Sequence, residues 1–226
     1  MFYDWSFILL IPAVILALYA QVRVSSTFSK YSKVLSESGM TGSKFAKNLL
    51  DRNNLGNVTV RQVDGQLTDN YDPRDKSLNL STSVYGSSSV AALGVVAHEV
   101  GHAVQDSKAY APLKLRSSFV PVSNLGSKLA IPLFFMGLIF SYGPLMDAGI
   151  VLFSLAVAFT VITLPVEFNA SNRAYAMMTD SGYLSIEEAS QAKKVLNAAA
   201  LTYVAATSMA VMQLIRLLVL RGSRDD

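Results

Sequence analysis

The sequence predicts a mainly α-helical membrane protein, with about four transmembrane helices and a small α+β portion between the first two. Three observations carry this prediction: high overall apolarity, four long uncharged segments, and one long polar segment between the first and second of them. Hydrophobic residues make up 51% of the 226 residues and the mean hydropathy is +0.36, which is too apolar for one ordinary soluble domain. The absence of cysteine excludes disulfides and cysteine-based metal sites.

Four uncharged segments are long enough to cross a bilayer, and they are residues 5–22, 129–146, 148–166 and 195–215. A helix needs about 20 residues, each rising about 1.5 Å, to do so. The second segment is interrupted by Pro132, Gly143 and Pro144, which membrane helices tolerate where neighbouring helices satisfy the freed backbone groups. The first is predicted to be a retained anchor and not a cleaved signal peptide, because its leader carries Asp4 and no basic residue.

The distribution of charge predicts orientation and excludes one class of partner. Thirteen Lys and Arg residues lie within 23–128 and three within 173–194, whereas the loop 141–147 has none. By the positive-inside rule both basic segments face the cytoplasm, although Arg221 and Arg224 argue mildly for the reverse. The net charge of +3 is too small and too dispersed to indicate nucleic-acid binding.

The polar segment after the first span is predicted to hold short helices and strands. "STFSKYSKVLSESG" and "TGSKFAKNLLDRNNLG" are typical of short amphipathic helices, with Thr41 as the N-cap of the second. "NVTVRQVDG" and "SLNLSTSVY" alternate like strands on either side of the turn-rich "GQLTDNYDPRDK", which predicts two or three strands. "SLNLS" is either an ordinary strand or an edge strand to which an extended peptide adds by main-chain hydrogen bonds.

The next helix carries both histidines of the chain. "SSSVAALGVVAHEVGHAVQD" predicts a helix of about five turns with a serine N-cap. His98 and His102 are four positions apart and therefore project from one face, where two imidazoles can bind one zinc ion. Glu99 stands beside the first histidine, in the position of the general base of an HExxH site. Gly101 costs about 1 kcal/mol relative to Ala in mid-helix, which indicates a packing reason.

A catalytic zinc site needs a third protein ligand, which must be a carboxylate because no third histidine exists. The downstream candidates are Asp106, Asp147, Glu167, Asp180, Glu187 and Glu188. The last two belong to "SIEE", where a capping box of Ser185 with Glu188 explains them. Asp106 follows His102 by one turn on the same helix, so it cannot easily close around the same ion and is a better outer partner.

Topology separates the two remaining candidates. Two predicted spans lie between His102 and Glu167, which returns the chain to the original side of the membrane, whereas Asp147 follows only one span. This favours Glu167 as the third ligand and keeps Asp147 as the alternative.

The sequence resembles a known family at this point. "AHEVGHAVQ", "LPVEFNASNRA" and "VLNAAALTYVAA" resemble the bacterial membrane-bound neutral zinc metallopeptidases (YugP-like), more distantly similar to the CaaX-processing and heat-shock membrane zinc proteases. The resemblance implies His98 and His102 as ligands, Glu99 as base and Glu167 as third ligand, in a zincin-like α+β catalytic portion. The sequence departs from the pattern of the distant relatives at Ser171, where they have an aspartate that orients a ligating histidine.

Together these observations predict a membrane-integrated zinc endopeptidase of the gluzincin type, with one Zn²⁺ per chain, Glu99 as general base, and peptide or membrane-protein substrates. Candidates to stabilise the oxyanion are Arg173, Tyr175 and Tyr110. The alternatives are a site-2-like intramembrane protease with Asp147 as ligand, and a non-enzymatic zinc-stabilised scaffold, against which the intact Glu99 argues. The resemblance implies a bacterial cell membrane, with the active site expected to face the cytoplasm.

These predictions divide the chain into five parts. They are a transmembrane anchor (1–22), the α+β peptidase portion (23–128), a transmembrane hairpin (129–166), a third-ligand helix with connector (167–194), and a C-terminal transmembrane helix with tail (195–226).

Overall fold

The computed structural model describes residues 5–65 and 68–223. A 3₁₀ helix, Trp5–Leu10, precedes α1 (Ile11–Tyr31), α2 (Gly42–Arg52), β1 (Thr59–Val63), β2 (Asn70–Asp72), β3 (Ser77–Ser81), α3 (Thr82–Tyr85), α4 (Val90–Ser107), α5 (Ala111–Ile139), α6 (Gly143–Asp180) and α7 (Ile186–Gly222). Asp4 and Arg224, used above for the anchor and the orientation, lie outside the described residues, as do the outer ends of the predicted parts 1–22 and 195–226.

Four helices within the described residues are long and apolar enough to cross a membrane. They are Ser6–Tyr31, Ala111–Ile139, Gly143–Asp180 and Ile186–Gly222, the first combining the 3₁₀ helix with α1. The prediction of a mainly helical protein with four such helices and a small sheet is confirmed.

The second predicted span, 129–146, does not match one helix. Helix α5 begins at Ala111 and ends at Ile139, and the chain turns at Ser141, whose φ is 56°, before α6 begins. Pro132 lies inside α5, whereas Pro144 lies in the first turn of α6, where a missing backbone N–H breaks no helical hydrogen bond. The break at Gly143 therefore starts a new helix and does not interrupt an existing one.

The first predicted amphipathic helix is wrong. Residues 26–31 of "STFSKYSKVLSESG" continue α1 without a break, and residues 32–41 are not helical. The second prediction is confirmed, because α2 follows the N-cap Thr41, whose side chain accepts a hydrogen bond from the backbone of Lys44.

A three-stranded sheet has the order β1-β3-β2. Strand β3 pairs in parallel with β1 and antiparallel with β2. Of the two alternatives for "SLNLS", the edge strand is therefore wrong and the ordinary strand holds: it is the central strand β3, whose Leu78 and Leu80 are fully buried. Among the described residues, β2 is an edge of this sheet.

The chain divides into two compact units. The described part of one unit comprises residues 5–21, 114–165 and 201–223, and that of the other comprises 22–65, 68–113 and 166–200. The second unit contains the sheet, α2, α4 and the main hydrophobic core, in which Phe45, Leu93, Val96 and Met178 are completely or almost completely buried. The predicted division into five parts stays a prediction.

Candidate metal centre

Helix α4 presents both histidines and Glu99 within the second unit. It begins after Ser89, whose side chain accepts a hydrogen bond from the backbone of Ala92, and it runs for 18 residues, as the predicted five-turn helix requires. Most of its apolar residues are buried, so the helix lies within the core. Glu99 and His102 each retain only 9% of their accessible surface. The polar side chains are therefore held in a protected position.

A carboxylate from α6 meets the two imidazoles. Glu167 is 2% exposed, and its Oε2 lies 3.2 Å from Nε2 of His98 and 3.6 Å from Nε2 of His102. The three side chains each offer one ligand atom, and these atoms all lie within 4.8 Å of one another. No fourth His, Asp or Glu of the described part of the chain joins this group. The structure thus brings together the three residues that the sequence analysis selects as ligands.

The spacing of these atoms fits a small divalent ion. With metal–ligand bonds of about 2.1 Å, a tetrahedron places its ligands about 3.4 Å apart. The two nitrogen–oxygen separations, 3.2 and 3.6 Å, bracket that value. Two nitrogens and one oxygen are also donors that zinc accepts in a site with an open position. The residues present therefore fit the metal that the sequence predicts.

A proton competes with a metal at His102. Burial opposes a charge on its ring, but the close contact with Glu167 and the negative charges of Glu99 and Glu167 outweigh burial and raise the pKa of His102. Metal binding requires the neutral ring, so it must displace that proton.

Gly101 explains how α4 approaches the helix that carries Glu167. A Cβ atom at this position would lie 2.7 Å from the backbone oxygen of Ala170 on α6, closer than any real contact. The predicted packing reason for a glycine in mid-helix is therefore confirmed, and it is a backbone approach three residues beyond Glu167.

Glu99 is held by an edge strand. The backbone N–H of Tyr71, on β2, donates a 3.0 Å hydrogen bond to Oε2 of Glu99. Burial raises the pKa of Glu99, against the opposing effect of the nearby histidines. A carboxylate with a raised pKa accepts a proton more readily than an exposed one, as a general base must.

Tyr71 was missed in the sequence analysis, because it lies in a turn-rich stretch 28 positions before Glu99. Its hydroxyl donates to Asp106 at 2.7 Å, and Lys76 forms an ion pair with the same carboxylate. Burial and the Asp106 carboxylate raise the pKa of Tyr71. Asp106 is thus engaged with Tyr71 of β2 and with Lys76, in agreement with the preference for an outer role over a ligand role.

Each histidine also has a partner behind it. Nδ1 of His102 lies 3.0 Å from Oε1 of Gln105, and Nδ1 of His98 lies 3.2 Å from the hydroxyl of Ser171. Ser171 therefore contacts a histidine at the position where the resemblance leads one to look for an aspartate. Gln105 was missed as a site residue, although its spacing of three from His102 could have indicated it.

The three oxyanion candidates have other contacts. Arg173 donates through Nε to Asn169 at 2.7 Å. The ammonium of Lys193 lies 4.2 Å from the ring centre of Tyr175. For Tyr110, the structure shows a backbone N–H that donates to Gln105. Their roles in stabilising an oxyanion stay predictions.

Two of the remaining carboxylates, Asp147 and Glu188, also have partners. Asp147 forms a 2.8 Å ion pair with Arg221 in the first unit. Glu188 accepts from the backbone of Ser185 at 2.7 Å while its own backbone donates to the Ser185 hydroxyl at 3.2 Å, which confirms the predicted capping box. Neither belongs to the histidine cluster.

The fold and the site define a helical membrane protein with a compact His₂Glu cluster. The chain belongs to the family described as "putative neutral zinc metallopeptidase", whose model matches residues 6–222. It is also 45% identical over 219 residues to the "putative membrane protease YugP" of Bacillus subtilis (strain 168), covering 96% of this chain and 97% of that relative. No solved structure matches the chain. The membership supports protease function and a zinc cofactor in general terms.

Proposed function

We propose that this protein is a membrane-integrated zinc endopeptidase of the gluzincin type, with His98, His102 and Glu167 as ligands of one zinc ion and Glu99 as general base. The observation that carries the proposal is the convergence of two Nε2 atoms and one carboxylate oxygen at 3.2 and 3.6 Å, beside a buried glutamate. Family membership independently favours a zinc peptidase.

The residue types supply the steps of hydrolysis. Zinc, when bound at an open site, lowers the pKa of water and polarises the scissile carbonyl. Glu99 takes the proton of the attacking water and delivers it to the leaving amine. The backbone N–H of Tyr71 holds Oε2 of Glu99 at 3.0 Å, which leaves Oε1 for the proton transfer.

The substrate strand is reassigned to β2. An extended peptide adds to a sheet through an edge with unpaired main-chain groups, and β3 is central. Strand β2 is an edge among the described residues, and its Tyr71 lies beside the base, to which its N–H already donates, so a peptide would pair with other main-chain groups of β2. A peptide lying along β2 would therefore pass beside Glu99. We propose peptide or membrane-protein segments as substrates, with the site facing the cytoplasm as the positive-inside rule favours.

Two alternatives have less support. Asp147 as third ligand, in a site-2-like protease, is disfavoured by its ion pair with Arg221 and by the position of Glu167 beside both histidines. A zinc-stabilised scaffold would use a closed site with four ligands, whereas three are found among the described residues, together with a buried base.

Glu99→Gln separates an enzyme from a scaffold. The substitution leaves every proposed ligand in place, so the detergent-purified variant should keep about one zinc per chain while hydrolysis falls at least ~10²-fold. Zinc is measured by metal analysis and hydrolysis by mass spectrometry of an unstructured peptide mixture. Full proteolysis by the variant would show that another residue is the base.

Glu167→Ala and Asp147→Ala, measured side by side, test the third ligand. We expect zinc and hydrolysis to be lost in the first, because two histidines alone rarely retain zinc, and kept in the second. Loss in Asp147→Ala with retention in Glu167→Ala would overturn the ligand assignment. A wild-type protein purified without chelators and free of zinc would overturn the function itself.

A further inference from the structure

Gln105 is a completely buried side chain that joins three separate groups around the metal centre. It has 0% exposure. Its Oε1 lies 3.0 Å from Nδ1 of His102, and its Nε2 donates to the backbone oxygen of Val166 at 2.8 Å and to Oδ1 of Asn169 at 3.0 Å. Both polar atoms of this buried amide are thus hydrogen-bonded, as buried polar groups are as a rule, and their partners lie at the proposed metal centre.

The neighbours of Gln105 determine which way its amide faces. The Val166 carbonyl can only accept a hydrogen bond, so it requires the NH₂ group of Gln105. Asn169 presents an oxygen too, because its Oδ1 also accepts from Nε of Arg173 at 2.7 Å, and a guanidinium can only donate. The oxygen of Gln105 is left to face His102.

This orientation selects one form of the His102 ring. Since Oε1 of Gln105 can only accept, Nδ1 of His102 must carry the hydrogen and donate it. In the neutral ring, Nε2 then keeps its lone pair, and this is the atom that lies 3.6 Å from Glu167 Oε2. A neutral histidine binds a metal through the nitrogen that carries no hydrogen. The tautomer selected by Gln105 is thus the one that can bind the ion.

We infer that Gln105 is a positioning residue of the metal centre, which holds His102 in its ligating tautomer and ties that ring to the backbone beside Glu167. The inference rests on the proposed zinc site. Val166 directly precedes Glu167, so one amide connects the ring of one ligand to the chain of another. Outer partners of this kind orient the ligand and raise its basicity.

Among the described residues, no such contact selects one tautomer of the His98 ring. Its Nδ1 faces the hydroxyl of Ser171, which can either donate or accept, so the contact is compatible with both tautomers. The orientation of the two ligating rings therefore rests on different groups, and the glutamine controls only His102.

The test compares zinc affinity across variants of Gln105. Gln105→Leu removes both the acceptor and the donors, and Gln105→Met, whose flexible side chain fills the same volume, replaces it if the first variant fails to fold. Gln105→Glu keeps an acceptor for His102 but loses the NH₂ group. Gln191→Leu is the matched control, because Gln191 lies on α7 in the same unit and its amide donates to Glu187.

Affinity is measured on detergent-purified protein by competition with a chromophoric chelator, and ligand geometry by the visible spectrum after Co²⁺ replaces zinc. We expect Gln105→Leu or Gln105→Met to lose ~10- to 100-fold in affinity and to alter the Co²⁺ spectrum. Gln105→Glu should recover part of the loss, and Gln191→Leu should match wild type.

If Gln105→Leu or Gln105→Met bound zinc with wild-type affinity, the inference would be overturned but the proposed function would not. An equal loss of zinc affinity in Gln105→Glu and Gln105→Leu would have the same consequence, because the hydrogen-bond acceptor would then be irrelevant. Absence of zinc from the wild-type protein would instead overturn the proposed function, and the inference with it.

Discussion

Replacing Gly101 with alanine should weaken metal binding by forcing two helices apart. The added Cβ would lie 2.7 Å from the Ala170 oxygen, whereas ordinary contact begins near 3.4 Å, so α4 and the Glu167-bearing part of α6 must separate by about 0.7 Å. The obstacle is a backbone atom, which cannot rotate away as a side chain would. Zinc sites tolerate deviations of only about 0.2 Å in ligand distance.

The expected magnitudes follow from that displacement. Overpacking costs about 1–3 kcal/mol, while alanine returns about 1 kcal/mol of helix propensity, so the net loss of unfolding free energy is at most about 2 kcal/mol. The larger effect falls on the metal: we expect zinc affinity to drop by at least ~10-fold, as it does when the support of a ligand is disturbed.

The assay is chelator competition on detergent-purified protein, combined with thermal unfolding of the metal-free form. Gly86→Ala is the matched control, because a Cβ there meets nothing within 4 Å and its φ of −93° suits any residue. Zinc affinity of Gly101→Ala within about twofold of wild type would refute the reasoning, since binding would then not depend on the close approach at Ala170.

Three further predictions concern stability. Removing zinc by a chelator should lower the unfolding temperature, and free zinc at 100 times its dissociation constant should restore about 2.7 kcal/mol of unfolding free energy. If a calorimetric scan showed no shift in the unfolding temperature, that would contradict a metal site in the folded state. Glu188→Ala should cost about 1 kcal/mol in thermal unfolding, because the carboxylate accepts backbone hydrogen bonds from Ser185 and Glu37. Hydrogen bonds from Arg74 lower the pKa of Asp72 to about 2. The stability that the Asp72 carboxylate contributes should therefore be present above pH 4 and be lost as the pH falls toward 2, whereas Asp72→Asn should lack this pH dependence. Acid titrations of the two proteins in parallel would give identical curves if the ion pair had no effect.

Local patterns in the sequence predicted the helix of the metal centre. The spacing of four between His98 and His102 places both on one face whatever surrounds the helix. Thr41 and the Ser185–Glu188 pair likewise act within one helical turn, and their predicted caps are present. Such features depend on residues three or four positions apart, which is why sequence alone sufficed for them.

The ligand environment depended on contacts distant in the chain. The boundaries of α5 and the length of α1 were predicted incorrectly, since apolarity identifies a span but does not say where a helix continues beyond it. The central place of β3 follows from its pairing on both sides, and the alternation of a short strand cannot distinguish centre from edge. The contact of Tyr71 with Glu99 joins two elements that no local pattern relates.

The candidate metal ligands were thus predictable from the sequence, whereas the contacts that support them were decided by tertiary structure. Glu167 was selected by the absence of a third histidine, the number of membrane crossings and the family resemblance, but its 3.2 and 3.6 Å approach to the histidines involves the close packing of α4 on α6 at Gly101. Gln105 acquires its role only because the Val166 carbonyl, 61 positions away, takes its NH₂ group. Residue type and spacing determine which atoms can bind a metal, while the packing of helices far apart in the chain determines whether those atoms meet in the right orientation.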